Sequence, residues 1–401
     1  MQIRVCDDDA EMAEEWVEDI RKVVPDTFDV DVMQEAGAEI TKLLDRKSRV
    51  EEGNAPVEQP TQFDGLGILV VDYDLIHLDD TGGRTTGEGI ARLARSYAKC
   101  GAIVVMNQFK GPQFDLGMRG HLDSFADINI DAELIGSAPL WQSRLPDGSF
   151  DPTTWTPLPE LMAAARTLSG KLAEGGFGAP PMPHLGLDEN AIAELSDTAF
   201  GFLSQTAQTA QDLAAVTLRD FLGRSFDETG VECLAQHAPE LAFDFAAFRL
   251  VKWLERAVLR PMDVLIDAAH LIDRLPFLID GNKVDLADCN EWTKGAADPT
   301  ARLRWDVLEQ FHNQAASEVL ARPIFDWHRI ANHEAIDALQ DDFLSKQSPP
   351  RFHLAEDTSR FVSSDALTRF RADFHNFGDR RGIEYLKDVA TYGPQRRMRF
   401  G

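Results

Sequence analysis

Aspartates directly follow two segments that have the pattern of short, buried strands. Residues 2–6 have a strand pattern that ends at Asp7 and Asp8, and the continuous apolar run 66–71 ends at Asp72. Carboxylates brought close together repel one another, which raises their pKa values unless a cation is present. Oxygen ligands of this kind are what Mg²⁺ prefers in proteins. The chemistry that these residues favour is therefore the binding of a divalent cation.

The elements around these aspartates alternate between helix and strand patterns. Apolar residues recur at helical spacing between Met12 and Val23, and a period of two over residues 28–32 indicates a second strand. Further helix and strand patterns follow at 36–46, 87–99, 102–106 and 126–130. This alternation predicts an α/β fold with a doubly wound, parallel, five-stranded sheet.

In such a sheet, the functional crevice lies at the carboxyl ends of the strands. Asp7 and Asp8 follow the first predicted strand, Asp72 follows the third, and Asn107 follows the fourth. We therefore expect these side chains at one edge of the sheet, with Asp7, Asp8 and Asp72 forming a magnesium-dependent site.

Four segments of the chain resemble the receiver domain of two-component response regulators. They are VCDDDAEM (5–12), ILVVDYDL (68–75), GEGIARLAR (87–95) and AIVVMN (102–107). In that family an acidic pair after the first strand binds Mg²⁺, and an aspartate after the third strand accepts a phosphoryl group. The resemblance covers about the first third of the chain. It implies that Asp7 and Asp8 are the acidic pair, that Asp72 is the phospho-acceptor, and that the backbone carbonyl of Asp74 completes the metal coordination.

The chain departs from the receiver pattern at three points. Asn107 stands where receivers usually have Thr or Ser, and the stretch between the second and third strands is longer than usual. No lysine occurs between Lys110 and Lys171, so the phosphate-contacting lysine after the fifth strand is missing, unless Lys110 or Arg119 takes its place. The resemblance therefore implies an atypical receiver or a pseudo-receiver whose fold serves protein binding.

The composition excludes several classes of protein. The 401 residues carry a formal charge of -27, which argues against a generic nucleic-acid coat or a membrane-surface binder. No apolar run approaches the length of a membrane span, and aspartates stand where a signal peptide would be apolar. The four cysteines form no CxxC pair. We expect a cytoplasmic protein with reduced thiols.

The rest of the chain is predicted to be a connector followed by helices. A receiver-like domain at 1–145 would precede a Pro/Gly-rich connector at 146–186 and a helical effector or partner-binding domain at 187–401. We recognise no family for this helical part. Helices are predicted at 159–168, 188–222, 240–259, 262–275, 301–320, 327–344, 364–374 and 382–390.

Four basic residues of the helical part fall on one helical face, and we name them the basic stripe. They are Arg249, Lys252, Arg256 and Arg260. The stripe has two interpretations. It is a docking face for an acidic surface, such as the receiver-like part itself or a nucleotide or phosphate, or it is a solvated face that pairs with neighbours such as Glu255.

Three functions from different classes follow from these patterns. The first is a signalling protein of the response-regulator or phosphorelay type, whose partner is a kinase or a downstream effector. The second is a magnesium-dependent phosphotransfer or nuclease-type enzyme that uses Asp72 and Asp74 with Asp7 and Asp8, assisted by His77, Asp79 or Asp80. The third is a pseudo-receiver scaffold in a larger assembly. Nucleic acid is disfavoured as a partner of the acidic body, although the basic stripe leaves that partner open.

Overall fold

The structure is a computed structural model that describes most of the chain. The described residues are 1–56, 60–75, 86–107, 122–141, 157–259, 261–279, 303–331, 333–346, 352–355, 360–369 and 382–383. The elements of residues 1–141 are called the α/β segment below, and those of residues 157–259 are called the helical segment.

Five parallel strands form the sheet of the α/β segment. They are β1 (Gln2–Cys6), β2 (Asp29–Val32), β3 (Ile68–Asp72), β4 (Ala102–Asn107) and β5 (Ile128–Asp131). Their order across the sheet is β2-β1-β3-β4-β5. Every residue of β3 is buried, as expected for a central strand that is covered on both faces. The chain direction across the sheet reverses between β1 and β3, and ligands bind at such a switch point in open α/β sheets.

Three helices connect the first four strands. They are α1 (Ala10–Arg21), α2 (Ala36–Glu51) and α3 (Gly87–Tyr97). Helix α1 buries Trp16, Val17 and Ile20, which match the predicted helical spacing. Helices α2 and α3 pack against each other. A parallel five-stranded sheet flanked by helices is therefore present at the N-terminal end, and it is compatible with a doubly wound α/β fold.

Two helices follow β5, and the second of them begins the helical segment. They are α4 (Ala138–Trp141) and α5 (Leu158–Gly175). Helix α5 has Pro159 in its first turn, as predicted, but it extends past Leu168. Leu172 is buried against the core, so the last turns gain apolar burial that offsets the glycine within them.

The single long helix predicted over 188–222 is wrong. Four short helices occupy this stretch, namely α6 (Glu189–Ala193), α7 (Asp197–Leu203), α8 (Ala210–Ala214) and α9 (Leu218–Leu222). Asp188, Ser196, Thr209 and Thr217 each accept a hydrogen bond from a backbone N–H of the next helix. Because each side chain caps a new helix start, the chain changes direction at each of them.

The helix predicted at 240–259 is close to the observed structure. Helix α10 (Glu228–His237) precedes α11 (Pro239–Trp253), and α11 continues as a π-helical turn over Leu254–Leu259. Helix α11 is apolar on most of its surface because it packs against both α5 and α3. A helix that is apolar all round is expected in the interior of a protein.

Beyond residue 261 the predicted helices are replaced in part by strands. Met262 has a positive φ of 53°, and a strand, β6 (Leu265–Asp267), forms before helix α12 (Ala268–Arg274). Strand β6 pairs antiparallel with β7 (Ile324–Asp326). Among the described residues, the α-helices that follow are α13 (Trp305–Leu308), α14 (Gln314–Leu320), α15 (Trp327–Ile330) and α16 (Glu334–Lys346). The expected helix 262–275 is therefore wrong in its first half.

The last described elements are short strands. They are β8 (Phe352–Ala355), β9 (Arg360–Ser363), β10 (Thr368–Arg369) and β11 (Gly382–Ile383), in the order β10-β11-β8-β9. The helices predicted at 364–374 and 382–390 are wrong over the residues described there. Strand pairing at these positions depends on partners distant in the sequence, which a local pattern does not reveal.

Two hydrophobic cores organise the described residues. The first joins the sheet to the helical segment and extends from Ile3 to Ile324. The second lies between Met262 and Phe361. Buried residues of the 158–185 stretch, such as Leu168, belong to the first core together with those of the sheet. The domain limits at 145 and 186 stay a prediction. In the part of the chain that the structure describes, every helix is too short or too polar to cross a bilayer.

Candidate acidic site at the carboxyl edge of the sheet

Asp7 and Asp8 lie close to Asp72, a residue far from them in the sequence, at the carboxyl edge of the sheet. Strand β1 pairs with β3 so that Cys6 lies opposite Val71. This register brings Asp7, which directly follows β1, beside Asp72, the last residue of β3. Asp7, Asp8 and Asp72 each offer a carboxylate oxygen, and these oxygens all lie within 4.8 Å of one another. We call these three residues the acidic site.

Asp9, the third aspartate after β1, does not belong to the acidic site. Asp9 caps α1, and its side chain accepts hydrogen bonds from the backbone N–H groups of Glu11 and Met12 at 2.9 and 3.3 Å. Its own N–H donates to Oδ1 of Asp7 at 3.0 Å. The turn into α1 therefore orients the Asp7 carboxylate towards the sheet edge, while Asp9 itself is used by the helix.

Asp72 is the most buried member of the site. It has no exposed surface, and its Oδ2 accepts a hydrogen bond of 3.0 Å from the N–H of Asp74. The side chain of Asp74 is exposed and does not belong to the group of three carboxylates. Its backbone pairs with Thr86, the residue that caps α3. Asp74 therefore supports the site through its backbone.

The electrostatics of the acidic site favour a bound cation. Burial, together with the charges of Asp72 and Asp8, raises the pKa of Asp7 to about 7, although the N–H of Asp9 acts in the opposite direction. Burial and the same carboxylates raise the pKa of the Cys6 thiol to about 12. Oδ2 of Asp7 is buried and accepts no hydrogen bond from the described residues. Hard oxygen donors with unmet charge fit Mg²⁺ well.

The start of α3 lies directly against the end of β3. The N–H of Gly87 donates to the carbonyl of Tyr73 at 2.9 Å. A Cβ atom at position 87 would lie 2.3 Å from the carbonyl oxygen of Asp72. Glycine is required here because any side chain would collide with the backbone that carries Asp72. The sequence offered only the GEG motif as a signal, and its role was not predicted.

Three residues of the basic stripe contact the α/β segment. Arg249 donates to the carbonyl of Ser124 at 2.5 Å, and Lys252 donates to the carbonyls of Ser124 and Ala126 at 3.0 and 2.5 Å. Arg256 donates to the carbonyl of Asp127 at 3.3 Å. The interpretation of the stripe as a solvated face is wrong for Lys252, which is only 3% exposed. The partner is a set of backbone carbonyls that lead into β5.

A buried ion pair next to the stripe was not predicted. Arg95 of α3 pairs with Asp127, and both side chains are almost fully buried. Oδ2 of Asp127 also accepts from the N–H of Ile103 at 2.7 Å, and the guanidinium of Arg95 lies 3.8 Å from the ring centroid of Phe248. Burial lowers the pKa of Lys252 well below its usual value. Only the packing of α11 on the sheet reveals these contacts.

Several predicted site residues lie outside the described part of the chain. They are His77, Asp79, Asp80, Lys110, Arg119, Arg260 and the side chain of Asn107. The roles suggested for them stay predictions.

Comparisons with known proteins identify no relative. No family model, no curated protein and no solved structure matches the chain. The functional argument therefore depends on the geometry and charges described above.

Proposed function

We propose that the chain is a signalling or regulatory protein in which the α/β segment acts as an atypical receiver. Asp72 is the phosphoryl acceptor, and Asp7 and Asp8 are the acidic pair that holds Mg²⁺. The helical segment is the output or protein-interaction part, and its partner is a kinase or a downstream effector in the cytoplasm.

The observation that carries this proposal is the convergence of Asp7, Asp8 and Asp72 at one edge of the sheet, with carboxylate oxygens within 4.8 Å of one another. The strand order β2-β1-β3-β4-β5 makes β1 and β3 neighbours, and a doubly wound sheet of this order has its switch point between these two strands. The residues at the carboxyl ends of these two strands are the ones that the receiver pattern needs.

The proposed chemistry is a phosphoryl transfer to a carboxylate. An oxygen of Asp72 attacks the phosphorus of a phosphoryl donor and forms an acyl phosphate, while the bond between phosphorus and the leaving oxygen breaks. The leaving group departs with that electron pair. Bound Mg²⁺ would neutralise charge on the phosphoryl oxygens. Asp7 and Asp8 would hold the ion, and the N–H of Asp74 orients the acceptor through Oδ2 of Asp72.

A direct test uses acetyl phosphate as the donor. The protein is incubated with acetyl phosphate and Mg²⁺, and its mass is measured intact. We expect a gain of one phosphoryl group that is absent in Asp72→Asn and that is lost when EDTA is added before the donor. The Asp74→Asn variant is the matched control, because the Asp74 carboxylate is exposed and lies outside the group of three.

The burial of Asp72 favours a second candidate, the pseudo-receiver scaffold. A carboxylate without exposed surface is harder for a phosphoryl donor to reach than an exposed one. In that case Mg²⁺ binds in calorimetry, but acetyl phosphate adds no mass. The enzyme alternative that depends on the Asp74 carboxylate gains no support, because that side chain is exposed and is not part of the group formed by the other three acids.

A further inference from the structure

We infer that the basic stripe is coupled to the acidic site through the first turn of α3, so that a change of charge at the acidic site alters how firmly α11 is held. The inference rests on the proposed function, because both concern the same acidic site. Three contacts in series carry it.

The first contact joins the acidic site to α3. The backbone of Gly87 lies close to that of Asp72, since a Cβ at position 87 would lie 2.3 Å from the carbonyl oxygen of Asp72. The N–H of Gly87 also donates to the carbonyl of Tyr73 at 2.9 Å. A displacement of the backbone at Asp72 therefore displaces the first turn of α3, because packed atoms cannot overlap.

The second contact joins α3 to the segment before β5. The carboxylate of Glu88 accepts hydrogen bonds from Oγ of Ser124 at 2.8 and 2.9 Å. It also accepts from Nδ2 of Asn129 at 2.6 Å. Hydrogen bonds to a charged carboxylate are among the stronger ones in proteins. The first turn of α3 and the start of β5 therefore move together.

The third contact joins that segment to the basic stripe. The carbonyl of Ser124 accepts from both Arg249 and Lys252. The guanidinium of Arg249 also lies 4.5 Å from the ring centroid of Phe125. Lys252 is almost fully buried, so its side-chain nitrogen depends on the carbonyls of Ser124 and Ala126 for hydrogen bonds. A shift of Ser124 therefore weakens or strengthens the attachment of α11.

Hydrogen–deuterium exchange with Mg²⁺ alone as the probe tests the coupling. Peptides from α11 and the following turn, residues 239–259, report the stripe, and peptides from α1 report the acidic site. We expect Mg²⁺ to change amide exchange in both sets, by about fivefold in α11. In Glu88→Ala, which removes the acceptor of both hydrogen bonds, the response of α1 should persist while that of α11 is lost. Glu189→Ala changes an exposed glutamate in the first turn of α6, and this control should keep both responses.

The outcomes separate the coupling from the proposed function. If Mg²⁺ protects α1 but leaves α11 unchanged in the unmodified protein, the coupling is wrong and the cation site stands. If Mg²⁺ changes amide exchange in neither α1 nor α11, the proposed cation site is wrong. The coupling is then tested by amide exchange of the Asp72→Asn variant without metal. Altered exchange in α11 of Asp72→Asn that disappears in the double variant with Glu88→Ala supports the coupling, and unaltered exchange in α11 of Asp72→Asn overturns it.

Discussion

At the scale of single residues, aspartates of this chain differ in their hydrogen bonds and charge partners. The Asp9 side chain accepts hydrogen bonds from the first turn of α1. Asp7, two residues earlier, has a buried carboxylate oxygen that accepts no hydrogen bond from the described residues, and its pKa is raised. Asp127 is buried as well, but it has Arg95 as a partner. Burial beside a counter-charge makes Asp127 part of a structural ion pair, whereas burial of Asp7 beside other carboxylates is consistent with the proposed cation site.

Asp7 gives the metal-free protein a defined dependence on pH. Its pKa is raised from 3.8 to about 7, so the folded state holds this proton more tightly than the unfolded state. The stability that this proton contributes is complete below about pH 4 and is lost as the pH rises through about 7. We expect Asp7→Asn to stabilise the metal-free protein at about pH 8 by roughly 1 kcal/mol, a figure reduced for the partial exposure of Asp7.

Chemical denaturation at several pH values, with and without Mg²⁺, measures this effect. The stabilisation of Asp7→Asn relative to the unmodified protein should vanish in acid. Mg²⁺ should raise the free energy of unfolding of the unmodified protein more than that of the variant. A variant that is less stable than the unmodified protein at alkaline pH would contradict the pKa assigned to Asp7.

The buried pair of Arg95 and Asp127 should be far more sensitive to substitution than an exposed pair. We expect Asp127→Ala to cost about 3–5 kcal/mol, because it leaves the Arg95 guanidinium buried without its partner. Asp29→Ala removes the partner of Arg4 at an exposed position and should cost less than about 1 kcal/mol. Urea denaturation of both variants gives the comparison, and equal losses would contradict it.

At the scale of elements, the site depends on how tightly neighbouring elements approach. Strand β3 and helix α3 meet backbone to backbone at Gly87, and α11 meets the start of β5 through its basic stripe. The contact between β3 and α3 requires a residue without a side chain, and the contact between α11 and the start of β5 requires long side chains. Both fix α3 and β5 relative to the acidic site.

Gly87 and Gly89 offer a matched pair of substitutions within one helix. Gly87→Ala should destabilise the protein by roughly 2 kcal/mol or more, because the new Cβ would overlap the carbonyl of Asp72. Gly89→Ala meets nothing closer than Oγ1 of Thr86 at 3.5 Å and should be neutral or slightly stabilising. Thermal denaturation measures both. Similar melting temperatures for the two variants would show that α3 does not approach β3 this closely.

At the scale of the whole molecule, one hydrophobic core contains both the sheet and the helical segment. This first core contains the sheet, α5 and α11, together with a few later residues such as Leu265 and Ile324, and the second core lies between Met262 and Phe361. The α/β segment therefore shares its interior with the helical segment. Packing of this kind gives a change at the acidic site a route to the rest of the chain.

We expect two unfolding transitions that correspond to the two cores. Leu250→Ala should lower the transition of the first core, and Leu271→Ala should lower that of the second, since both leucines are fully buried. Each substitution should cost about 2–5 kcal/mol. Differential scanning calorimetry resolves the transitions. A single transition that both variants lower equally would mean that the cores unfold as one unit.

The amino-acid sequence by itself determined the five strands, the first three helices and the acids at the strand ends. These features follow from local apolar periods and from the rule that parallel strands present their carboxyl ends at one edge. Only the tertiary structure decided that Glu88 and Gly87 belong to the surroundings of the site and that Lys252 of the basic stripe is buried against the residues that lead into β5. Hydrogen bonds to backbone carbonyls and close backbone approaches involve partners distant in the chain, and they leave no period in the sequence. The four short helices after Asp188 show the same limit, because the apolar spacing predicted one helix and did not reveal the caps and turns that divide it.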